Sequence, residues 1–153
     1  MRLILGIGNR FRRDDAFGPI VLDHLQGRVG EAELREYDGE ALGLLALLEG
    51  RDALVIDAAR ADLTPGTLLD WDALAEPWPG EAALHSSHQW GLAEALSLGR
   101  DLGRLPTRLR VLAVVGGDFG WGTDLSPEVA EKVDDVVAFA SRHARAGGKN
   151  VRP

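Results

Sequence analysis

Residues 3–18 constrain the fold of this chain more than any other stretch. An apolar run of strand length opens the stretch and ends in Gly6-Ile7-Gly8. A polar loop follows and carries two adjacent aspartates, Asp14 and Asp15, into a segment with helical spacing. Because ligands of an open α/β sheet bind at the carboxyl ends of its strands, these carboxylates lie where chemistry is expected. An aspartate pair is also typical of an ordinary helix start, so the stretch alone does not identify a site.

The rest of the chain alternates between strands of the buried type and amphipathic helices. Mostly apolar runs at residues 2–7, 53–57 and 109–115 are typical of strands covered on both faces. Shorter strands are predicted at 32–37 and 67–71, and helices at 17–25, at 41–48, around Leu92 and Leu96, and from Ser126 onward. This order predicts an α/β protein, a three-layer α/β/α sandwich with a mostly parallel central sheet. We expect a single domain over residues 1–143 and a frayed C-terminal tail over 144–153.

The spacing of apolar residues predicts which face of each helix is buried. In the first helix, Phe17 and Val21 share one face, and His24 is expected to pack beside them. In the last helix, Ala130 and Val133 are expected to share the buried face. His24 is therefore interpreted as a packed or snorkelling side chain and not as a ligand.

The composition excludes several classes of protein. The chain contains no cysteine, which rules out disulfides, thiolate metal sites and a cysteine nucleophile. The net charge of −7 and the pI near 5.0 argue against a nucleic-acid partner, because such proteins need clustered lysine and arginine. The apolar runs are too short to span a membrane and the first residues lack a signal-peptide layout, so we expect a soluble cytoplasmic protein. A local basic cluster, Arg10, Arg12 and Arg13, could face an acidic partner segment or water, and we expect water.

Two further segments bring candidate site residues to the same edge of the sheet. The second strand of the buried type ends at Asp57, so two apolar strands each deliver an aspartate to one edge. Ser86 and Gln89 fit a capping box, which places His88 in the first turn of a helix. The positive end of the helix dipole disfavours an imidazolium there. His88 is therefore biased toward the neutral form that binds metals.

Three interpretations of this edge compete. A dinucleotide-binding site fails because Phe11 stands where the third glycine of the fingerprint is required. A flavodoxin-like phosphoacceptor signalling domain would bind magnesium through Asp14, Asp15 and Asp57, although the acidic pair comes late here, after a glycine-rich loop. A site that joins the aspartates to His88 suits a borderline divalent transition metal better than magnesium, which prefers oxygen ligands.

Several separated motifs make the chain resemble a known family. They are Gly6-x-Gly8-Asn9, Asp14-Asp15 with Gly18, Asp38-Gly39, Asp57-Ala58, Pro65-Gly66-Thr67, Ser87-His88-Gln89-x-Gly91-Leu92, Val114-Val115-Gly116 and Leu125-Ser126-Pro127-Glu128. With these motifs, spread over most of its length, the chain resembles the hydrogenase maturation endopeptidases. Members of that family trim the C-terminal extension from the large subunit of nickel-iron hydrogenases, so the resemblance implies an endopeptidase acting on such a precursor.

The resemblance also implies a nickel site built from Asp15, Asp57 and His88. The nickel is expected to be carried by the substrate and not permanently bound, so that the three residues read out metal loading and cleavage follows nickel insertion. The family usually has glutamate where this chain has Asp15. Because the aspartate side chain is shorter, Asp14 competes with Asp15 for the role of first ligand.

The implied reaction is peptide hydrolysis without a side-chain nucleophile. The chain has no cysteine, and Ser86 and Ser87 are interpreted as helix-capping residues. Hydrolysis would therefore need an activated water, either through the metal or with Asp14 or Asp38 as an accessory acid or base. His85 does not stand at the family's ligand position and is interpreted as an exposed loop residue.

Overall fold

The computed structural model describes residues 2–75 and 91–146, and it centres on a five-stranded sheet. The strands are β1 (Leu3–Ile7), β2 (Glu33–Tyr37), β3 (Asp52–Ala59), β4 (Leu68–Asp72) and β5 (Arg108–Val115). They lie in the order β2-β1-β3-β5-β4, and only β4, at one edge, runs antiparallel to its neighbour. The predicted α/β class with a mostly parallel sheet is confirmed.

Helices cover both faces of this sheet. They are α1 (Phe17–Leu25), α2 (Ala41–Leu48), α3 (Gly91–Leu102), α4 (Pro127–Ala130) and α5 (Val133–Arg145), and a short 3-10 helix, Arg13–Ala16, precedes α1. One core cluster joins the sheet to α2 and α3, and a second joins its other face to α1, α4 and α5. The molecule therefore has the three layers that the sequence predicts. None of the helices in the described part of the chain has the length and apolarity that a membrane crossing requires.

The middle strand, β3, shows why the apolar runs form the centre of the sheet. Val55 packs in the core under α2 and α3, whereas Leu54 and Ile56 pack in the core under α1 and α5. All three side chains are fully buried, because successive side chains of a strand point to opposite faces and both faces are covered. The parallel neighbours β1 and β5 then bring their carboxyl ends to one edge of the sheet.

Three local predictions are wrong in detail. β3 continues to Ala59, so Asp57 lies inside the strand and not at its end. The final helix is interrupted between α4 and α5, and the break lets Val129 and Val133 both face the core while Ala130 is exposed. His24 is exposed, because the buried stripe of α1 runs along Val21 and its neighbours on the other side.

Helix α5 extends to Arg145, two residues into the segment predicted as a tail, and residues 147–153 of that segment lie outside the described residues.

Glycines let α1 approach the strands at backbone distance. A Cβ at Gly18, in the first turn of α1, would lie 2.6 Å from the carbonyl oxygen of Ile56 and 2.7 Å from that of Ile7. Gly8 has a φ of +150°, and a Cβ there would lie 1.8 Å from the carbonyl oxygen of Asp15. Only glycine fits both positions. The glycines of the first loop therefore set how closely the 3-10 helix and α1 sit over β1 and β3.

Replacing Gly8 with alanine is expected to destabilise the protein by about 3 kcal/mol or more, because the new methyl group would overlap backbone atoms that cannot move independently. The matched control is Gly27→Ala, where φ is also positive, at +76°, but nothing lies within 4 Å of the added carbon. This control should lose only about 1 kcal/mol of stability, the cost of holding an alanine at a positive φ. Urea unfolding measures both changes, and equal losses would contradict the close approach at Gly8.

Candidate active site

Asp57 is buried near the carboxyl edge of the sheet. It lies on β3, flanked by β1 and β5, and only 3% of it is exposed. Its Oδ1 accepts a hydrogen bond from the backbone N–H of Ala58, at 2.7 Å. Along the strand it points to the same face as Val55, the face covered by α2 and α3. Within residues 2–75 and 91–146, the Ala58 N–H is therefore the one hydrogen-bond donor to this buried carboxylate.

Asp15 stands opposite this edge on the 3-10 helix, which packs against β3. Its Oδ2 accepts a hydrogen bond from the backbone N–H of Asn9, at 2.8 Å, and the Asn9 side chain in turn accepts one from the N–H of Phe11, at 2.9 Å. The loop after β1 is thus closed by its own side chains. This closure fixes the Asp15 carboxylate, which is partly buried.

Both carboxyl groups have a raised pKa. Burial raises the pKa of Asp57 well above its ordinary value, with the Ala58 hydrogen bond opposing the shift and the charge of Asp15 adding to it. Burial also raises the pKa of Asp15, against the Asn9 hydrogen bond, and the charge of Asp38 raises it further. Two desolvated carboxylates that repel each other form a site where a cation would be favoured.

Asp14 has a different role from its neighbour. Its carboxylate accepts four hydrogen bonds, from the backbone N–H groups of Gly117, Asp118 and Ser126 and from the Ser126 hydroxyl, at 2.7–2.9 Å. Asp14 is fully buried. The carboxylate therefore ties the loop after β5 and the start of α4 to the loop after β1. The Ser126 hydroxyl donates its hydrogen bond to Asp14, and the Ser126 side chain makes no capping hydrogen bond to α4. Its predicted accessory role in acid-base chemistry stays a prediction.

Asp38 follows β2 in an exposed turn before α2. It lies close enough to Asp15 to raise the pKa of that carboxyl. The Tyr37 hydroxyl donates a hydrogen bond to the carbonyl oxygen of Glu40, at 2.7 Å, and holds the turn. The structure thus brings Asp15, Asp57 and Asp38 to one edge.

The predicted histidine cannot be placed. His85, Ser86, Ser87 and His88 all lie outside the described residues. Among residues 2–75 and 91–146, no group of three potential ligands is close enough to hold a metal ion. The set of Asp15, Asp57 and His88 therefore stays a prediction, of which the structure brings two members together.

Sequence reasoning missed a group of residues beside the aspartates. Arg60 follows β3 directly, and its guanidinium carbon lies 4.7 Å from the ring centre of Phe119. Arg12 lies 5.1 Å from the ring centre of Trp121. Both guanidinium charges oppose the rise in the pKa of Asp15. The position of Arg60 at the carboxyl end of a buried strand was the available signal, but its aromatic partner is distant in sequence.

Fold and site together define an α/β protein with a desolvated carboxylate pair at the carboxyl edge of its sheet. The sequence profile of the HycI family, described as hydrogenase maturation protease, matches residues 38–143. The hydrogenase expression/formation protein HupD of Rhodobacter capsulatus is 32% identical, over 97% of this chain and 73% of its own length. The chain belongs to the hydrogenase maturation protease family.

Solved structures agree with this assignment. An endopeptidase from Escherichia coli, solved in solution, is 26% identical with a TM-score of 0.80, over 97% of this chain and 94% of its own. The hydrogenase maturating endopeptidase HybD of Escherichia coli has the same fold, with a TM-score of 0.78 and 24% identity over 96% of this chain and 93% of its own. The predicted endopeptidase class is confirmed.

The phosphoacceptor interpretation is not supported. In a flavodoxin-like sheet the strands are parallel and the fourth follows the third, whereas here β5 lies between β3 and an antiparallel β4. The anchoring of Asp14 also removes one of the three carboxylates that would bind magnesium. The family assignment points to peptide hydrolysis instead.

Proposed function

We propose that this protease removes the C-terminal extension of a nickel-iron hydrogenase large-subunit precursor after nickel insertion, and that Asp15, Asp57 and His88 recognise the nickel. The observation that carries the proposal is the pair of Asp15 and Asp57, two carboxylates at one edge of the sheet whose pKa values are both raised by burial, with the charge of Asp15 raising the pKa of Asp57 further. A divalent cation on the substrate would relieve that repulsion. The precursor would therefore bind more strongly with its metal than without it.

The choice of Asp15 over Asp14 as a ligand follows from their partners. Asp14 is saturated by four hydrogen bonds, so turning it toward a metal would leave buried N–H groups without an acceptor. Asp15 accepts one recorded hydrogen bond and is partly open. The shorter side chain at this position is thus compensated by a loop that holds it close to β3.

The place of α3 supports His88 as the third ligand. Its first described residue, Gly91, lies beside the turn after β2, where an added Cβ would be 3.6 Å from the backbone nitrogen of Ala41. That turn also carries Asp38, which acts on Asp15. His88 precedes Gly91 by three residues in the sequence, and we expect it to supply the third ligand.

The proposed chemistry is hydrolysis by water at a peptide bond held next to the metal. The bound nickel would polarise the scissile carbonyl, and Asp38, exposed at the rim, is the proposed general base. The cytoplasmic location stays a prediction.

The test is cleavage of the precursor from the same genome, supplied nickel-loaded and nickel-free and analysed by intact mass. We expect loss of a C-terminal peptide from the nickel-loaded form and a rate at least about 100-fold lower with His88→Ala or Asp15→Ala. The control is Asp101→Asn, an exposed aspartate near the end of α3, which should cleave like wild type. Equal cleavage of the nickel-free precursor would contradict the metal recognition, and no cleavage of either form would contradict the substrate.

A further inference from the structure

A pocket of about 560 Å³ lies beside the carboxylate pair. It opens between the end of β3 and the loop after β5, and its lining includes Arg12, Arg60, Gly116 and Phe119. This volume is within the usual range for sites that bind a small ligand or a short peptide segment. The proposed chemistry of the aspartates makes no use of this pocket.

Two arginines give the pocket its charge. The Nε of Arg60 is buried and has no hydrogen-bond partner among the described residues. The Nε of Arg12 donates to the carbonyl oxygen of Phe119, at 3.2 Å. No ion pair to a carboxylate of the described residues is recorded for either one, whereas Arg10 pairs with Asp23, at 2.7 Å, and with a second carboxylate. The pocket therefore presents two guanidinium groups without a direct ion pair to a described carboxylate, and Asp118 lies in the same lining.

The walls of the pocket are held in place by the backbone. Asp14 anchors the N–H groups of Gly117 and Asp118. Gly116 lies so close under the Phe119 ring that a Cβ there would be 2.5 Å from it. Arg13, held at a φ of +45°, donates its N–H to the carbonyl oxygen of Gly122, at 3.0 Å. These contacts form when the protein folds, so a ligand would not have to order the pocket as it binds.

We propose that Arg12 and Arg60 bind a carboxylate in the C-terminal segment of the polypeptide that the enzyme cleaves, and so position the scissile bond beside Asp15 and Asp57. Guanidinium groups match carboxylates in a bidentate geometry, and stacking on an aromatic ring leaves their edges free to donate. Arg12 directly precedes the 3-10 helix that carries Asp15, and Arg60 directly follows the strand that carries Asp57, so the pocket adjoins the carboxylate pair. This inference depends on the proposed function for the identity of the polypeptide.

The first test measures binding and cleavage of the nickel-loaded precursor by Arg60→Gln and Arg12→Gln. We expect the Kd and KM to rise about 10- to 100-fold while kcat changes less than about 3-fold, because these residues hold the substrate and do not touch the reacting atoms. Arg60→Lys keeps the positive charge but loses the paired N–H donors of the guanidinium group. Its Kd and KM should therefore lie between those of wild type and Arg60→Gln. The control is Arg104→Gln, an exposed arginine paired with Glu49, which should match wild type.

The second test identifies the source of the carboxylate. Synthetic peptides covering the precursor's C-terminal segment carry either a free or an amidated C-terminus, and a further set replaces each acidic side chain by its amide. One of these changes should weaken binding to wild type while leaving binding to Arg60→Gln unaffected. If none of them weakens binding, the proposed carboxylate contact is wrong.

The outcomes separate this inference from the proposed function. Wild type that cleaves the precursor with a KM unchanged by Arg60→Gln would overturn the pocket assignment alone. Wild type that binds the precursor in an Arg60-dependent way but never cleaves it would overturn the proposed function and keep the pocket. Wild type that does not bind the precursor at all would overturn both.

Discussion

Asp57→Asn should abolish cleavage and, at neutral pH, make the protein more stable. Burial raises the pKa of this carboxyl well above its ordinary value, so ionising it in the folded state costs free energy. Asparagine keeps an oxygen for the Ala58 N–H but carries no charge next to Asp15. We expect a gain of about 1–2 kcal/mol, which is about 2–8 °C in Tm, together with a fall in cleavage of at least about 100-fold.

The gain in stability from Asp57→Asn should increase as the pH rises. Between the unfolded value of 3.8 and the raised folded pKa, the native state binds the Asp57 proton and the unfolded state does not. The stability that this group contributes is therefore complete in acid and is lost as the pH rises through the folded pKa. Thermal unfolding of wild type and Asp57→Asn from acid to neutral pH should show a difference that widens as the pH rises. A constant difference, or a variant less stable than wild type at neutral pH, would show that the carboxylate is not strained in the fold.

Asp14→Asn should strongly destabilise the protein. In either amide orientation, the new NH₂ group faces at least one backbone N–H that now donates to the carboxylate, so a buried donor loses its acceptor. We expect a loss of about 3 kcal/mol, or about 6–12 °C in Tm, and weaker precursor binding because the pocket wall is released.

The matched control for this variant is Asp118→Asn in the same loop. Asp118 is exposed. Its Oδ1 accepts a hydrogen bond from the backbone N–H of Gly120, at 2.8 Å, and its Oδ2 lies 3.5 Å from the Nε of Arg13. Its replacement should cost less than about 1 kcal/mol, since exposed ion pairs contribute little. Similar losses in the two variants would mean that the loop does not depend on the buried carboxylate.

The fold could be predicted because its signals are local. The runs that became β1, β3 and β5 are apolar on both faces, and their alternation with helices leaves few topologies open. Helix phase was less predictable. The break between α4 and α5 decides whether Ala130 or Val133 faces the core, and no residue type marks that break in the sequence.

The site could be predicted only in part. The proximity of Asp15 and Asp57 could be predicted because parallel strands deliver their carboxyl ends to one edge. The sequence could not show that Asp14 is an anchored carboxylate while its neighbour Asp15 is not, because the hydrogen-bond donors to Asp14 are more than one hundred residues away. The pairing of Arg60 with Phe119 is equally remote in sequence, so the pocket had no local signal.

The anchor at Asp14 also sets when the enzyme can become active. Its donors come from Gly117, Asp118 and Ser126, in the last quarter of the chain, while the aspartates they fix are near the start. A nascent chain that still lacks this loop has Asp14 and Asp15 but not the donors that tie their segment to the end of β5 and to α4. During synthesis this tie therefore forms only after the loop that follows β5 and the start of α4 have left the ribosome.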